Sequence, residues 1–274
     1  MIPAPLRLRL DSDALGSNWR TAAPLSGPAA CGAAAKADGY GLGAREVVRR
    51  LAEAGCRDFF VATWAEAVAL ADLGVPVSVL HGLRAEDLAV ALESATARPV
   101  LNTVQQVRRW REAGGGACDV MVDTGMNRLG IQPDDVAAGL LDGLAVETLM
   151  SHLASADEDV PLNAIQRDAF AALAGQSGAR RMSLANSAGI ALGPDFAFDL
   201  TRPGIALYGG VLGSAFAGRI RQVVTPEVQV LQRRLVPAGQ SVGYNATWTA
   251  AADTEVAIVN LGYADGYLRC FSGK

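Results

Sequence analysis

Short apolar runs alternate with amphipathic helical segments along most of the chain, and this alternation constrains the fold more than any other feature. Eight strand candidates lie within residues 28–208, separated by helices or short crossovers. Near-continuous apolar strands linked by helices are typical of a parallel sheet covered by helices. Eight such units predict a (β/α)8 TIM barrel.

An open, doubly wound sheet is the main alternative to a barrel. No GxGxxG motif opens a helix at the place where that fold binds a dinucleotide, which favours the barrel. The predicted strands are Pro28–Ala35, Asp58–Ala62, Val77–Leu80, Pro99–Leu101, Asp119–Val122, Leu144–Met150, Met182–Leu184 and Ile205–Tyr208.

The pattern changes near residue 212, where β–α alternation gives way to two stretches with a period of two, Val223–Leu235 and Glu255–Leu261. We predict a barrel domain at 11–212 and a C-terminal all-β domain at 213–274. The opening strand at 5–10, which contains LRLRL, can belong with the second domain. Because two or three strands make a marginal domain, we expect this sequence to be truncated, with more β-structure downstream.

Composition excludes several classes of function. The net charge of −4 and the pI near 5.3 argue against a nucleic-acid or an anionic membrane partner. Four well-separated cysteines, with no CxxC pair, and only two histidines argue against a metal site. Free thiols, no signal pattern and no apolar run of membrane-spanning length predict a soluble cytoplasmic protein.

Lys36 is the first candidate for chemistry. It follows a run of small residues, and glycines at 39, 41 and 43 break the strand before a helix near Ala44. Burial at the end of that strand would lower the pKa of the amine and make it nucleophilic, and such amines form Schiff bases with carbonyls, pyridoxal phosphate included. An isolated lysine in a turn is more often simply solvated, so its neighbours decide.

Further polar residues stand at the C-terminal ends of the predicted strands, where barrel enzymes carry their chemistry. Arg128 lies in a glycine-flanked loop and suits a planar carboxylate or phenolate. His152 follows another strand and can equally be a core histidine. Ser187 and the amides of Gly204 and Ile205 have the character of a phosphate cradle.

Seven motifs then carry a resemblance: KADGYG at 36–41, MNRLG at 126–130, SHLASAD at 151–157, NSA at 186–188, RPGIALYG at 202–209, VGYNATW at 242–248 and GYADGY at 262–267. In this order and spacing they resemble the alanine racemases. The resemblance implies a pyridoxal-phosphate enzyme with a (β/α)8 barrel, a C-terminal β-domain and a homodimer with shared active sites.

The resemblance also implies residue roles. Lys36 would hold the cofactor and act as the base on the D face, with Tyr244 as the base on the L face. A tyrosine needs nearby positive charge to act as a base at neutral pH, and His152 and Arg202 match the residues that provide it. Arg202 would face the pyridine nitrogen and, by keeping its own proton, leave that nitrogen unprotonated, which limits side reactions.

The remaining matches concern binding. Tyr40, Ser187, Gly204 and Ile205 match phosphate contacts, and Arg128 matches the residue near the phenolic oxygen and the substrate carboxylate. Some members carry a carbamylated lysine where this chain has Met121, so Arg128 must be steadied differently. The family's methionine-containing substrate segment and late phosphate-binding tyrosine would lie beyond Lys274.

The leading hypothesis is therefore an alanine racemase that interconverts L- and D-alanine and supplies D-alanine for bacterial peptidoglycan. A racemase of broader specificity, acting on serine or other amino acids, stays open. A non-catalytic pyridoxal-phosphate-binding protein is a further alternative, but those single-barrel proteins lack a β-domain with a Tyr244. Basic amino-acid decarboxylases share the two-domain plan, but RPGIALYG and VGYNATW fit racemases better.

Overall fold

The computed structural model describes residues 4–271, and the chain separates into two compact units. The larger unit is residues 11–223, and the smaller unit joins the segment up to Leu10 to the segment from Val224 onward. We call them the barrel unit and the β unit. Within the described residues, no helix is long and apolar enough to cross a membrane.

The strands of the described chain are β1 (Leu6–Leu10), β2 (Ala30–Cys31), β3 (Ala33–Ala34), β4 (Phe59–Val61), β5 (Val77–Val79), β6 (Ala97–Leu101), β7 (Cys118–Met121), β8 (Val146–Met150), β9 (Arg181–Ser183), β10 (Leu200–Thr201), β11 (Val224–Val228), β12 (Val230–Val236), β13 (Ser241–Val242), β14 (Trp248–Thr249) and β15 (Thr254–Val259). The helices are α1 (Ser12–Leu25), α2 (Lys36–Tyr40), α3 (Ala44–Ala54), α4 (Trp64–Ala69), α5 (Leu88–Glu93), α6 (Val104–Glu112), α7 (Pro133–Ala137), α8 (Pro161–Ala171) and α9 (Ser187–Ala191).

Parallel strands β3 to β9 form one sheet in chain order, and β10 closes it into a barrel. β10 pairs in parallel with β2, with Leu200 opposite Ala30. On its other side, the Arg202 amide donates to the carbonyl of Ala185, just beyond β9, at 2.8 Å. Only Gly32 separates β2 from β3, so the two together form the first strand of the barrel. This strand pairs with β10 through β2 and with β4 through β3. The predicted (β/α)8 barrel is confirmed.

Alternate strand residues face the barrel interior, as the period of two requires. Phe60, Val100, Met121, Met150 and Leu200 form one buried cluster, whereas their strand neighbours belong to a second cluster that includes buried residues of the surrounding helices. Another set of inward residues is polar. There Asp119 accepts hydrogen bonds from Ser78 at 2.6 Å and from Arg98 at 2.8 Å. The barrel is therefore a filled core rather than a pore.

Helix α3 shows why the amphipathic segments cover the sheet. Its buried residues Ala44, Val47, Val48 and Leu51 recur at the spacing of one helix face. The opposite face is charged and carries ion pairs between side chains three or four positions apart, such as Arg49 with Glu46.

The predicted last strand, Ile205–Tyr208, is wrong. The last barrel strand is β10, and residues 205–209 form a tight turn in which the Leu207 amide donates to the Gly204 carbonyl at 2.8 Å. The apolar run IALY indicated burial, and Ala206 and Leu207 are indeed buried. Burial alone does not distinguish a strand from a packed turn.

The β unit consists of antiparallel pairs. β1 pairs with β11, β12 with β15, and β13 with β14. The C-terminal all-β segment of the predicted fold is therefore confirmed. The domain limits of 11–212 and 213–274 with 5–10 stay a prediction, and in the structure residues 213–223 pack with the barrel unit because Phe216 and Val223 are buried in its core.

Candidate active site

One cavity of about 410 Å³ lies at the C-terminal ends of the barrel strands. Its volume is in the range of small-molecule sites, and its place in the fold is where barrel enzymes bind substrates. Eight residues singled out from the sequence line it: Lys36, Tyr40, Arg128, His152, Ser187, Arg202, Gly204 and Ile205.

Lys36 begins α2, which is a left-handed turn separated from β3 by Ala35 alone. Ala37, Asp38 and Gly39 have φ angles of 54°, 51° and 64°, and Tyr40 and Gly41 continue with positive φ. L-residues avoid this conformation because the Cβ atom crowds the following carbonyl, at a cost of about 1–2 kcal/mol per residue. The turn must therefore be held by its surroundings, and it turns the chain sharply at the residue that carries the amine.

Arg202 is a buried cation whose hydrogen-bond partners are neutral. It follows β10, and its guanidinium donates to Ser183 Oγ and, at 2.6 Å, to the carbonyl of Ser151. The guanidinium also lies over the ring of Phe60, 6.0 Å from the centroid. Burial lowers the pKa of Arg202 to about 10, so the group stays protonated at neutral pH. A buried cation held this way can still attract an anionic or lone-pair acceptor in the cavity.

His152 is half-buried between cations. Burial first, and then the charges of Arg202, Arg128 and Lys36, lower its pKa to about 3. The imidazole is therefore neutral at physiological pH and can act as one donor and one acceptor. Its loop is held by Gln166, whose side chain accepts from the Ala154 amide at 2.9 Å and donates to the His152 carbonyl at 3.1 Å.

Ser187, Gly204 and Tyr40 form another part of the cavity lining. Ser187 Oγ accepts from the amides of Gly204 at 2.9 Å and Ala206 at 3.2 Å, which ties α9 to the turn after β10. A Cβ atom on Gly204 would clash with the Tyr40 hydroxyl, so a side chain at this position would displace Tyr40. Tyr40 stacks on Tyr208 with centroids 4.3 Å apart.

Arg128 sits in an exposed loop that Asp123 fixes. Asp123 Oδ1 accepts from the amides of Gly125, Met126 and Asn127 at 2.9–3.1 Å. Met121, which takes the place of the carbamylated lysine considered above, is buried in the cluster that also contains Phe60 and Met150. The Arg128 loop is thus steadied by a carboxylate that bonds the backbone.

These residues fit a small molecule with a phosphate and further acceptor groups. Lys36, Arg128 and Arg202 bring positive charge to one cavity, and the Ser187 hydroxyl lies against the backbone of Gly204 in the same lining. The amine can react with an aldehyde, and a guanidinium fork matches a carboxylate or a phenolate. The small hydroxyl can donate a hydrogen bond to a phosphate. A pyridoxal-phosphate-type group carries these features.

The structure brings together the eight barrel residues but changes two expectations. Lys36 is exposed at the open cavity rather than buried, because only the strand before it is covered. The Gly204 amide already donates to Ser187 Oγ, so it is not a free phosphate donor. Tyr244 belongs to the β unit and its side chain is 86% exposed. Its role, like those of the other site residues, stays a prediction.

The residues that hold the site loops were not predicted from the sequence. Glu66, Asp123, Gln166, Ser183 and Tyr208 form hydrogen bonds with the backbone or side chains of the predicted site. Tyr208 also donates to the Ala34 carbonyl at 2.8 Å, two residues before Lys36. The spacing Thr63 to Glu66 is a visible helix-capping pattern, but no local signal marks the long-range partners of the other residues.

Two family models match the chain almost from end to end. The model described as "Alanine racemase, N-terminal domain" matches residues 10–211. The model described as "Alanine racemase, C-terminal domain" matches residues 223–274.

Relatives and solved structures agree with these models. The chain is 41% identical to an alanine racemase of Acidiphilium cryptum, over 97% of this chain and 78% of that protein. It is 40% identical to a biosynthetic alanine racemase of Agrobacterium fabrum, over 99% and 72%. A Bartonella henselae alanine racemase with covalently bound pyridoxal phosphate superposes with a TM-score of 0.85 at 33% identity, over 98% and 78%. A biosynthetic alanine racemase of Pseudomonas aeruginosa gives 0.87 at 32%, over 97% and 78%. The chain therefore belongs to the alanine racemase family.

Proposed function

We propose that the protein is a pyridoxal-phosphate-dependent alanine racemase, an isomerase that interconverts L-alanine and D-alanine. The observation that carries this proposal is the cavity of the barrel unit, where the eight predicted residues meet around one space. Membership of the family supplies the reaction, and the relatives named above carry the same activity in their names.

The donor set of the cavity supports the cofactor. Lys36 would bind it covalently through its amine, while Ser187, Tyr40, Gly204 and Ile205 would surround the phosphate. Arg202, protonated and buried, would donate to the pyridine nitrogen, and His152 would complete the polar contacts on that side. Pyridoxal phosphate, when bound, supplies the electron sink that acidifies the Cα–H bond of an amino acid.

Racemisation requires proton transfer on both faces of Cα. Lys36 Nζ, as the free amine while the amino acid occupies the site, would remove or return the proton on the D face, and the phenolic oxygen of Tyr244 would do so on the L face. Removal on one face and return on the other inverts the centre. Since His152 is neutral at physiological pH, Arg202 is the residue that supplies the positive charge assigned above to both.

Arg128 would bind the substrate carboxylate. Its forked guanidinium matches that group, and it projects from a loop that Asp123 holds through three backbone amides. A fixed cation at this position orients the amino acid so that its Cα–H bond faces a base. Alanine, with the smallest side chain that still has a stereocentre, makes few demands on the rest of the cavity.

A homodimer with shared active sites completes the proposal. Tyr244 is almost fully exposed in the β unit, and apolar side chains such as Leu231 and Leu235 on β12 are exposed as well. Exposed apolar faces of this kind mark interaction surfaces. A second copy that covers them would remove apolar area from water and bring a Tyr244 to a neighbouring barrel.

The setting we propose is the cytoplasm of a bacterium, with D-alanine passing to peptidoglycan synthesis. The cysteines at 31, 56, 118 and 270 are free, which suits a reducing compartment. A racemase that also accepts serine is the alternative within the same chemistry. The size of the cavity, rather than the two proposed catalytic bases, would decide between the side chains of alanine and serine.

The decisive experiment uses the purified protein loaded with pyridoxal phosphate. Borohydride should remove its visible absorbance band and fix the cofactor on a lysine. Peptide mapping then decides between two sites, because Lys36 and Lys274 are the only lysines in the sequence. Incubation with L-alanine in D₂O should yield D-alanine with deuterium at Cα, and L-serine in the same assay tests breadth.

Each part of that experiment can contradict the proposal. A cofactor band without racemisation would identify a non-catalytic pyridoxal-phosphate-binding protein. Label on Lys274, or the absence of any band, would reject the role of Lys36. Turnover of L-serine at the rate of L-alanine would replace alanine racemase by the broader activity.

A further inference from the structure

One carboxylate outside the cavity bonds the turn that carries Lys36. Glu66, in the first turn of α4, accepts through Oε1 from the amides of Ala37 at 2.6 Å and Asp38 at 3.4 Å. Its other oxygen, Oε2, accepts from the amides of Ala62 at 2.7 Å and Thr63 at 3.0 Å. The two oxygens are thus divided between the Lys36 turn and the end of β4.

The Lys36 turn needs such a partner because its first donors have none within the turn. Its own hydrogen bonds begin at the amides of Gly39 and Gly41, which donate to the carbonyls of Ala35 and Ala37 at 2.9 and 2.8 Å. As at any helix start, the amides before these have no acceptor within the turn. Ala37 and Asp38 carry two such amides, and Glu66 accepts hydrogen bonds from both. A charged acceptor makes the stronger kind of hydrogen bond.

An ordinary helix cap does not account for this arrangement. In the capping box of α4, Thr63 Oγ1 accepts from the Glu66 amide at 3.3 Å, and Glu66 Oε2 accepts from the Thr63 amide. That reciprocal pair uses only one carboxylate oxygen. The second oxygen accepts a hydrogen bond from the Ala37 amide in the Lys36 turn, and Ala37 lies 29 positions before Glu66 in the sequence. The cap fixes the carboxylate, and the free oxygen bonds the turn.

We propose that Glu66 is a positioning residue for Lys36, holding the left-handed turn in the one conformation that directs the lysine amine into the cavity. The inference rests on the proposed function for the meaning of Lys36, but the contact itself does not. Ala37 is the next residue after Lys36, so a shift of its amide moves the Cα atom from which the lysine side chain departs. Small displacements of a catalytic group are costly because the reacting atoms must lie in near-attack geometry.

The test compares Glu66→Ala and Glu66→Gln with Thr63→Ala in the cofactor-loaded protein. Thr63→Ala removes the cap bond but keeps the carboxylate, so it controls for loss of α4 stability. We expect Glu66→Ala to lower kcat about 100-fold, the scale of a misplaced catalytic group, with KM changed only about twofold. Glu66→Gln keeps one acceptor oxygen and should fall between. Thr63→Ala should keep kcat within about twofold of the wild type.

Hydrogen exchange supplies a readout that does not depend on activity. Peptides covering residues 33–43, measured by mass spectrometry, should exchange faster in both Glu66 variants than in the wild type, and at the wild-type rate in Thr63→Ala. Unchanged exchange in Glu66→Ala, or an equal loss of kcat in Thr63→Ala, would overturn the proposal. A wild-type protein that exchanges as expected but does not racemise alanine would reject the proposed function and leave the contact of Glu66 with the turn established.

Discussion

The two units of the chain differ in how much of their apolar surface they bury. The barrel unit contains a continuous core, from Ala14 to Val223, and a formed cavity. In the described part of the β unit only Val236 and Ala250 are buried, while large side chains such as Leu231, Leu235 and Tyr244 are exposed. The difference shows that the barrel unit has its own source of stability, whereas the β unit presents surface.

The same contrast runs through the candidate site. In the barrel unit, Arg202 is held by Ser183 and Ser151, and the Lys36 turn is held by Glu66. Tyr244, in a 3₁₀ turn of the β unit, is 86% exposed. One proposed base is therefore preorganised by the chain that carries it, and the other awaits a surface to pack against.

Replacing Lys36 should have the largest effect. Lys36→Ala removes the amine that would bind the cofactor and move the proton, so we expect no borohydride-sensitive absorbance and no racemisation in either direction. Lys274→Ala, at the only other lysine of the sequence, is the control and should keep both. Chiral chromatography and absorbance spectra measure the outcome. Full turnover by Lys36→Ala would reject the assignment of the barrel cavity as the active site.

Replacing Tyr244 should remove proton transfer on one face of Cα. Tyr244→Phe keeps the aromatic ring but lacks the phenolic oxygen, so the cofactor should stay bound while Cα deuterium exchange from L-alanine is lost. Tyr263→Phe, also exposed and in the β unit, is the matched control and should exchange normally. The measurement is proton exchange in D₂O with each enantiomer. Equal loss with L- and D-alanine would contradict the two-base scheme.

Truncating a core side chain of the barrel unit should destabilise the protein. Leu51 is fully buried on α3, and Leu51→Ala should lower the free energy of unfolding by about 2–5 kcal/mol through lost burial and a cavity. Denaturant unfolding followed by circular dichroism measures it. A loss below about 1 kcal/mol would show that this core collapses around the cavity and is less rigidly packed than its burial indicates.

The barrel could be predicted from sequence because its strands and helices are local patterns. Apolar runs of strand length and the spacing of residues such as Val47, Val48 and Leu51 report burial on one face. The same signal misplaced the last strand, since Ala206 and Leu207 are buried in a turn rather than in β10. The apolar pattern of the sequence predicts which residues are buried, whereas closure of the barrel depends on hydrogen bonds between segments that are distant in sequence.

The positions of the candidate site residues could also be predicted from the sequence, because the strand ends of a barrel meet on one face. The residues that hold them in place could not be predicted. Glu66 is visible as a helix cap, but its bond to the Ala37 amide is a tertiary contact without a local signature. The exposure of Lys36 and the lowered pKa of His152 likewise depend on how many cations and how much solvent the folded cavity brings together. Such properties emerge only from the assembled barrel.

The pH dependence of stability tests the buried environment of His152. Its pKa falls from about 6.5 in an unfolded chain to about 3 in the folded one, so only the unfolded chain binds this proton between those values. Its contribution to stability is complete above pH 6.5 and is lost as the pH falls towards 3. The loss is at most about 1.4 kcal/mol per pH unit.

Two variants isolate this contribution to stability. His152→Gln cannot bind the proton, so its melting temperature should fall less steeply than that of the wild type between pH 6.5 and 4.5. His81→Gln, at the only other histidine, is the control, since His81 is exposed. Identical slopes in the wild type and His152→Gln would show that solvent or relaxation lets the folded barrel accept the proton.

The smallest effect is expected in the β unit. Leu231 lies on β12 with 58% of its surface exposed, so Leu231→Ala removes little buried area and should change the free energy of unfolding by no more than about 0.5 kcal/mol. Denaturant unfolding at two protein concentrations measures it, with Leu51→Ala as the buried counterpart. If Leu231→Ala cost as much as Leu51→Ala, and more so at high concentration, another copy would cover this face. The contrast between the units would then belong to the separate chain and disappear in the assembly, because the β unit would complete its core at the interface.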